Sequence, residues 1–325
     1  MNEPVNAAVV GVGSMGRHHA RVYSELPNVK LVGIHDVDES QAAEAARDHG
    51  TRAVDMETAI DEADVISIAV PTPYHYETAR KCIEGGVHVL VEKPFVADVE
   101  EGRDLLARAE EAGVTVQVGH IERFNPAIRT LSEIVSDLDI IAIDAQRLGP
   151  PPAGRAVDVS AVMDLMIHDL DVLLSIVGDD IDSVAAVGTR DNRYASASIK
   201  FGGGIVAGLT ASRVTQEKVR KLSITAENCR VNVDYTNQSV EIHRHSMPEY
   251  IEDNGDLRYR HESIVERPTV ENGEPLKNEL RSFVQSATSG STPVVTGEDG
   301  LRVLEIARKI DDLASDMRET EVRLG

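Results

Sequence analysis

Short apolar runs bounded by turn residues recur through the first third of the chain, at residues 7–10, 29–35, 65–70, 87–91 and 114–118. Runs this short, with little polar alternation, suit strands buried on both faces, as in a parallel sheet. The segments between them read differently. Residues 40–49, 55–62, 76–84 and 99–112 carry helical spacing, and Gly50, Gly85-Gly86 and Gly113 stop three of them. Strand and helix in alternation predict a doubly wound parallel α/β domain that ends near Arg123.

Beyond Arg123 the grammar changes. A helix over 124–135 bridges to a strand over 139–148, which Gly149-Pro150-Pro151-Pro152 breaks. Residues 160–177 are apolar nearly all round, so they predict a buried helix. Alternating segments at 183–187, 195–201, 205–212, 221–225, 230–234 and 239–243 predict an antiparallel meander and a mixed sheet. Residues 247–267 are polar and charged, an excursion expected near the subunit edge or the active site. Two amphipathic helices, 276–289 and 297–317, should pack beside the other domain or other helices. The expected division is 1–123, an α/β nucleotide-binding domain, and 124–325, an α+β domain.

Chemistry concentrates where strands end. Gly11-x-Gly13-x-x-Gly16 lies between the first strand and a helix that opens with Ser14 and Met15. The first glycine permits a tight turn, the second lets backbone N–H groups approach a pyrophosphate, and the third lets helix pack on strand. The next strand delivers Asp36, at the spacing where a carboxylate accepts bonds from both hydroxyls of an adenosine ribose. A carboxylate there predicts NAD over NADP, whose 2′-phosphate it would repel. Pro71-Thr72-Pro73-Tyr74-His75 and Glu92-Lys93-Pro94 follow two further strands, on the sheet edge where open α/β folds bind ligands.

The apolar helix over 160–177 also carries Asp164, His168 and Asp171. At about 100° per residue they fall within an arc of about 60°, one polar stripe on a buried helix. Burying such a stripe is costly unless it faces a cavity or partners. A core histidine satisfied by Asp164 is the competing structural reading. Asp169 lies off the stripe and reads as a solvated or capping carboxylate. Arg123, Arg147 and Arg155 are candidates to bind a diphosphate through paired, charge-assisted hydrogen bonds, or else ordinary surface ion-pair residues.

Composition narrows the partners. Among 325 residues, 42% hydrophobic content supports an ordinary core, and no run of about 18 apolar residues suggests a membrane span. The MNEP start lacks the basic, apolar character of a signal, so a cytoplasmic protein is expected. Cys82 and Cys229 lack metal or redox spacing and read as inert. A net charge of −22 disfavours nucleic acid. With 25 Arg to 8 Lys, it also suggests a surface suited to concentrated salt, where carboxylate repulsion is screened.

Taken in order, Gly11-Val12-Gly13-Ser14-Met15-Gly16, Pro71-Thr72-Pro73-x-His75, Glu92-Lys93-Pro94 and Asp164-x-x-x-His168-Asp169 resemble the Gfo/Idh/MocA oxidoreductases over essentially the whole chain. The resemblance implies an N-terminal Rossmann domain, then an α+β domain with a large open sheet whose face mediates homodimer or homotetramer formation. It implies NAD as cofactor and Lys93, Asp164 and His168 as the catalytic group. Glu92, Pro71, Thr72 and His75 would line the cofactor site. Residues 119–126, with Arg123 and Asn125, together with Arg147-x-Gly149-Pro150, resemble the branch that oxidises nucleotide-activated N-acetyl sugars. The expected substrate is therefore UDP-N-acetylglucosamine oxidised at C3, bound in part by Arg123, Asn125, Arg147 and Arg155. A free polyol such as inositol, and a non-catalytic NAD(H) sensor, are the alternatives.

Overall fold

A computed structural model describes residues 3–151, 159–245, 249–253, 256–260 and 263–315. The chain divides into two compact units, residues 1–124 with 273–305, and residues 125–272 with 306–325. The first unit thus takes a C-terminal segment that a single cut after Arg123 leaves in the second.

The first unit runs β1 (Val5–Val10), α1 (Ser14–Glu25), β2 (Val29–His35), α2 (Glu39–Asp48), α3 (Met56–Glu62), β3 (Val65–Ile68), α4 (His75–Glu84), β4 (His88–Glu92), α5 (Val99–Ala112) and β5 (Val116–Gly119). Its five strands lie in the order β2-β1-β3-β4-β5, all parallel. Every residue of β3 and β5 is buried, the physical reason that those strands are mostly apolar, each with a single buried polar residue, Ser67 and Gln117. The chain leaves β1 toward β2 and returns to the other side of β1 as β3. That reversal opens a crevice at the carboxyl ends of β1 and β3, where ligands bind in such sheets.

The second unit opens with α6 (Pro126–Val135), which Asn125 caps by accepting from the Ala127 N–H. Strand β6 (Ile140–Leu148) follows, then a π-helical turn over Val162–Met166 that leads into α7 (Ile167–Val177). Next come β7 (Ile181–Thr189), β8 (Tyr194–Phe201), β9 (Val206–Ser212), β10 (Val219–Ala226), β11 (Cys229–Asp234) and β12 (Ser239–His245). Residues 247–267, expected as an excursion, contribute β13 (Glu249–Asp253), β14 (Asp256–Arg260) and β15 (Ser263–Glu266). The large sheet is ordered β15-β12-β11-β10-β6-β9-β8-β7, antiparallel except where β6 meets β9, and β13 pairs with β14 apart from it. Along β8 the residues alternate, with Ala195, Ala197, Ile199 and Phe201 buried and Ser198 and Lys200 exposed. Helix α6 packs against β11 and β12, and α7 against β6.

The last two helices are α8 (Pro275–Ser289) and α9 (Gly297–Ser315). Leu276, Leu280, Phe283 and Val284 of α8 join Ala7, Val9, Tyr23 and Leu90 in one hydrophobic cluster, which is why this helix belongs to the first unit. Full burial of such side chains stabilises by about 1.5–3 kcal/mol each. Among the described residues no helix is long and apolar enough to cross a membrane.

Candidate active site

The glycine loop follows β1 directly. Gly11 adopts φ +87°, and a Cβ there would lie 2.6 Å from the Val70 nitrogen; at Gly16 it would lie 1.8 Å from the Gly11 carbonyl oxygen. Neither position accepts a side chain. At Gly13 a Cβ would meet nothing within 4 Å, so glycine there keeps space open in front of α1. Helix α1 begins at exposed Ser14 with no side-chain cap and half-buried Met15 behind it, whereas Asp38, Asp55 and Asp98 cap α2, α3 and α5. Its first N–H groups remain for an anion.

Asp36 is held in place by two main-chain donors. One carboxylate oxygen accepts from Val12 N–H at 2.7 Å and the other from Asp38 N–H at 2.9 Å, leaving further lone pairs for ribose hydroxyls. Arg17, a nearby cation that could welcome a 2′-phosphate, is paired with Glu44 at 2.7 Å. The open Gly13, the uncapped helix and the fixed carboxylate fit NAD.

Across the crevice, exposed Pro71 leads into a short 3-10 turn over Thr72–Tyr74, with Thr72 half-buried. His75 does not line an open site. Only 1% exposed, its Nε2 lies 2.8 Å from the Val70 carbonyl and its Nδ1 3.0 Å from that of Pro94, so it ties the loop after β3 to the loop after β4. Burial pushes its pKa down, against the hydrogen bonds to Val70 and Pro94. Lys93 follows β4 immediately and is half-buried. Glu92, expected to line the cofactor site, is instead buried against His19 of α1, at 2.9 Å. His120 is also buried beyond β5; burial, then the charges of Lys93 and Arg123, push its imidazole down to about 3. Arg123 Nη2 donates to the Val294 carbonyl at 3.0 Å.

In the second unit the π-helical turn contains Asp164 and precedes His168, both half-buried. Single π turns inside helices recur at functional sites. The extra residue per turn breaks the regular phase assumed for the polar stripe, and Asp171 is 1% exposed while Asp164 is not buried. Asp164 is engaged by Arg213, which sits just past β9 and also donates from Nη1 to the Val159 carbonyl at 3.0 Å. The same helix start is held by Ala161 N–H donating to the Asn192 carbonyl at 2.8 Å. Arg213 was not singled out in the sequence; its one signal is a cation directly after a mostly apolar strand.

Three sequence expectations give way to burial. Asp169 is neither solvated nor a cap: at 2% exposure it accepts from Arg147 Nε at 2.8 Å and Nη2 at 2.9 Å. Arg147, 4% exposed, also lies over the Tyr235 ring at 5.1 Å, so it supports the sheet and is not presented to a diphosphate. Asn125, 3% exposed, spends its side chain on the α6 cap and on the Tyr235 carbonyl, at 3.1 Å. Arg155 lies outside the described residues.

Residues 5–120 match the oxidoreductase family with an NAD-binding Rossmann fold, and residues 142–236 match the GFO/IDH/MocA C-terminal domain. The UDP-N-acetylglucosamine 3-dehydrogenase of Acidithiobacillus ferrooxidans is 36% identical over 244 residues, covering 74% of this chain and 77% of that protein. A solved structure of that enzyme superposes with a TM-score of 0.86 at 31% identity, covering 96% of this chain and 98% of the other. The scyllo-inositol 2-dehydrogenase (NAD(+)) of Bacillus subtilis is 27% identical over 345 residues, covering 94% and 93% of the two chains. The parallel-sheet domain with its glycine loop and these matches define an NAD-binding oxidoreductase. The chain belongs to the Gfo/Idh/MocA family.

Proposed function

We propose that the protein oxidises a secondary alcohol of a nucleotide sugar, with UDP-N-acetylglucosamine oxidised at C3 as the substrate and reaction. The carrying observation is the 36% identity to a UDP-N-acetylglucosamine 3-dehydrogenase over 77% of its length. NAD, when bound, supplies the hydride acceptor. The imidazole of His168 takes the hydroxyl proton, suited to this because histidine titrates near neutrality. Lys93 Nζ hydrogen-bonds the reacting oxygen and stabilises the negative charge that develops on it. Asp164, fixed by Arg213, orients the imidazole. Arg123 is the remaining described candidate for the diphosphate, since Arg147 and Asn125 are committed to the fold.

The inositol reading has its own support in the 27% identity to a scyllo-inositol dehydrogenase over nearly the full chain. A sensor without chemistry has no use for Lys93, Asp164 and His168 together. We further propose a cytoplasmic enzyme adapted to concentrated salt, on the net charge of −22. A homodimer or homotetramer would form through the open face of the large sheet, where Ser198 and Lys200 are exposed. Light scattering that returns the monomer mass of 35.3 kDa would remove the oligomer.

Turnover should be compared for UDP-N-acetylglucosamine, its free sugar, UDP-glucose and myo-inositol, each with NAD and NADP, in dilute and in concentrated KCl. The expected result is NAD-dependent oxidation of UDP-N-acetylglucosamine, higher in concentrated salt. NAD should lead NADP by on the order of 10–100-fold, the worth of charge-assisted bonds to Asp36. Turnover of inositol alone would overturn the substrate, equal use of NADP the role of Asp36, and salt independence the halophilic reading.

A further inference from the structure

Helix α1 rests on the parallel sheet through two buried polar contacts one turn apart. Tyr23 bonds to Ser67 of β3 at 2.8 Å, and His19 to Glu92 of β4 at 2.9 Å. Tyr23, Ser67 and His19 are 0% exposed and Glu92 is 8% exposed. The Tyr23 contact ends in the middle of β3 and needs no role beyond packing. The His19 contact ends one residue before Lys93, and the Lys93 N–H donates to the other oxygen of the same carboxylate at 3.2 Å.

The carboxylate is held on its remaining side as well. Gly119 pairs with Glu92 across β4 and β5, and a Cβ at Gly119 would lie 3.2 Å from Glu92 Oε2. A side chain there would push the carboxylate away from the Lys93 N–H. Burial alone would raise the Glu92 carboxyl, but the hydrogen bond and charge of His19, with the Lys93 ammonium, hold it below the usual range. Glu92 is therefore an anion near neutral pH, and His19 Nε2 donates to it. His19 Nδ1 has no partner among the described residues, so a single bond fixes the ring to the sheet.

We propose that His19 is a positioning residue for Lys93. Through Glu92 it joins the helix whose N-terminus receives the cofactor to the main chain that presents the lysine. This rests on the catalytic role given to Lys93 above. Losing the bond lets the β4 terminus and the lysine move relative to α1, and misplacement of a reacting group by about 1 Å can cost on the order of 100-fold in rate.

A double-mutant cycle tests this, with Tyr23→Phe as the control for loss of a buried α1 contact. His19→Ala should lower kcat by on the order of tenfold in the native background and by less than about twofold in Lys93→Met, because the two act through one group. His19→Gln, which can still donate, should recover part of the loss. A second reading needs neither cofactor nor substrate: the rate at which acetic anhydride modifies Lys93, followed by peptide mass spectrometry, should change in His19→Ala and stay constant in Tyr23→Phe. If His19→Ala does not fold, Glu92→Gln replaces it in both measurements. Equal factors in the two backgrounds, or a Lys93 modification rate unchanged from the native protein, would overturn the proposal. Native turnover in Lys93→Met would overturn instead the catalytic role of Lys93 on which it rests.

Discussion

Asp169→Ala is expected to destabilise the protein by about 3–5 kcal/mol, the cost of leaving a buried cation without its partner. Arg147 and Asp169 form a two-bond pair with side chains only 5% and 2% exposed. Arg147 comes from β6 and Asp169 from α7, so the pair fastens the helix that carries His168 to the centre of the large sheet. Urea unfolding should show the loss as a lower midpoint. The double substitution Arg147→Met with Asp169→Leu should recover most of it, because apolar groups of similar volume remove the buried charge together with its need for a partner. A loss below about 1 kcal/mol in Asp169→Ala would place the pair with exposed ion pairs.

Lys93→Met and His168→Asn are each expected to lower kcat by about 100-fold or more while NAD binding persists. The separation follows from where the residues lie. Gly13, the N-terminus of α1 and Asp36 make up the dinucleotide site proposed here, and neither substitution is at one of these positions. Fluorescence titration with NADH measures binding, and the appearance of NADH measures turnover. Wild-type turnover in both variants would remove these residues from the chemistry. Loss of NADH binding along with turnover in Lys93→Met would show that this substitution disturbs the first unit.

The parallel strands, the helices between them and the glycine loop were legible in the sequence because their signals are local. A run such as Val65–Ile68 has one stable use, burial on both faces, and Gly11, Gly13 and Gly16 state their backbone requirement within six residues. Asp36 and Lys93 were legible for a related reason: each directly follows a strand end, and strand ends define the crevice. The amphipathic face of α8 announced burial, but only the folded chain decided that its partner is the first sheet, some 250 residues earlier in sequence.

Charged and polar side chains were the harder part, since their roles depend on partners remote in sequence. Asp169 looks like a surface carboxylate until β6 brings Arg147 against it, and Arg147 looks available to a ligand until the same contact encloses it. His75 and Glu92 stand in motifs that suggest a cofactor wall, yet His75 clamps two loops and Glu92 answers His19 on α1. The π turn at Val162–Met166 shifted the helical phase, which no regular 3.6-residue count anticipates. Local patterning was enough to specify the kinds of element and the places where chemistry can sit. Which charges are paired and buried depended on the folded arrangement, because a charge leaves water only when a specific partner is brought to it.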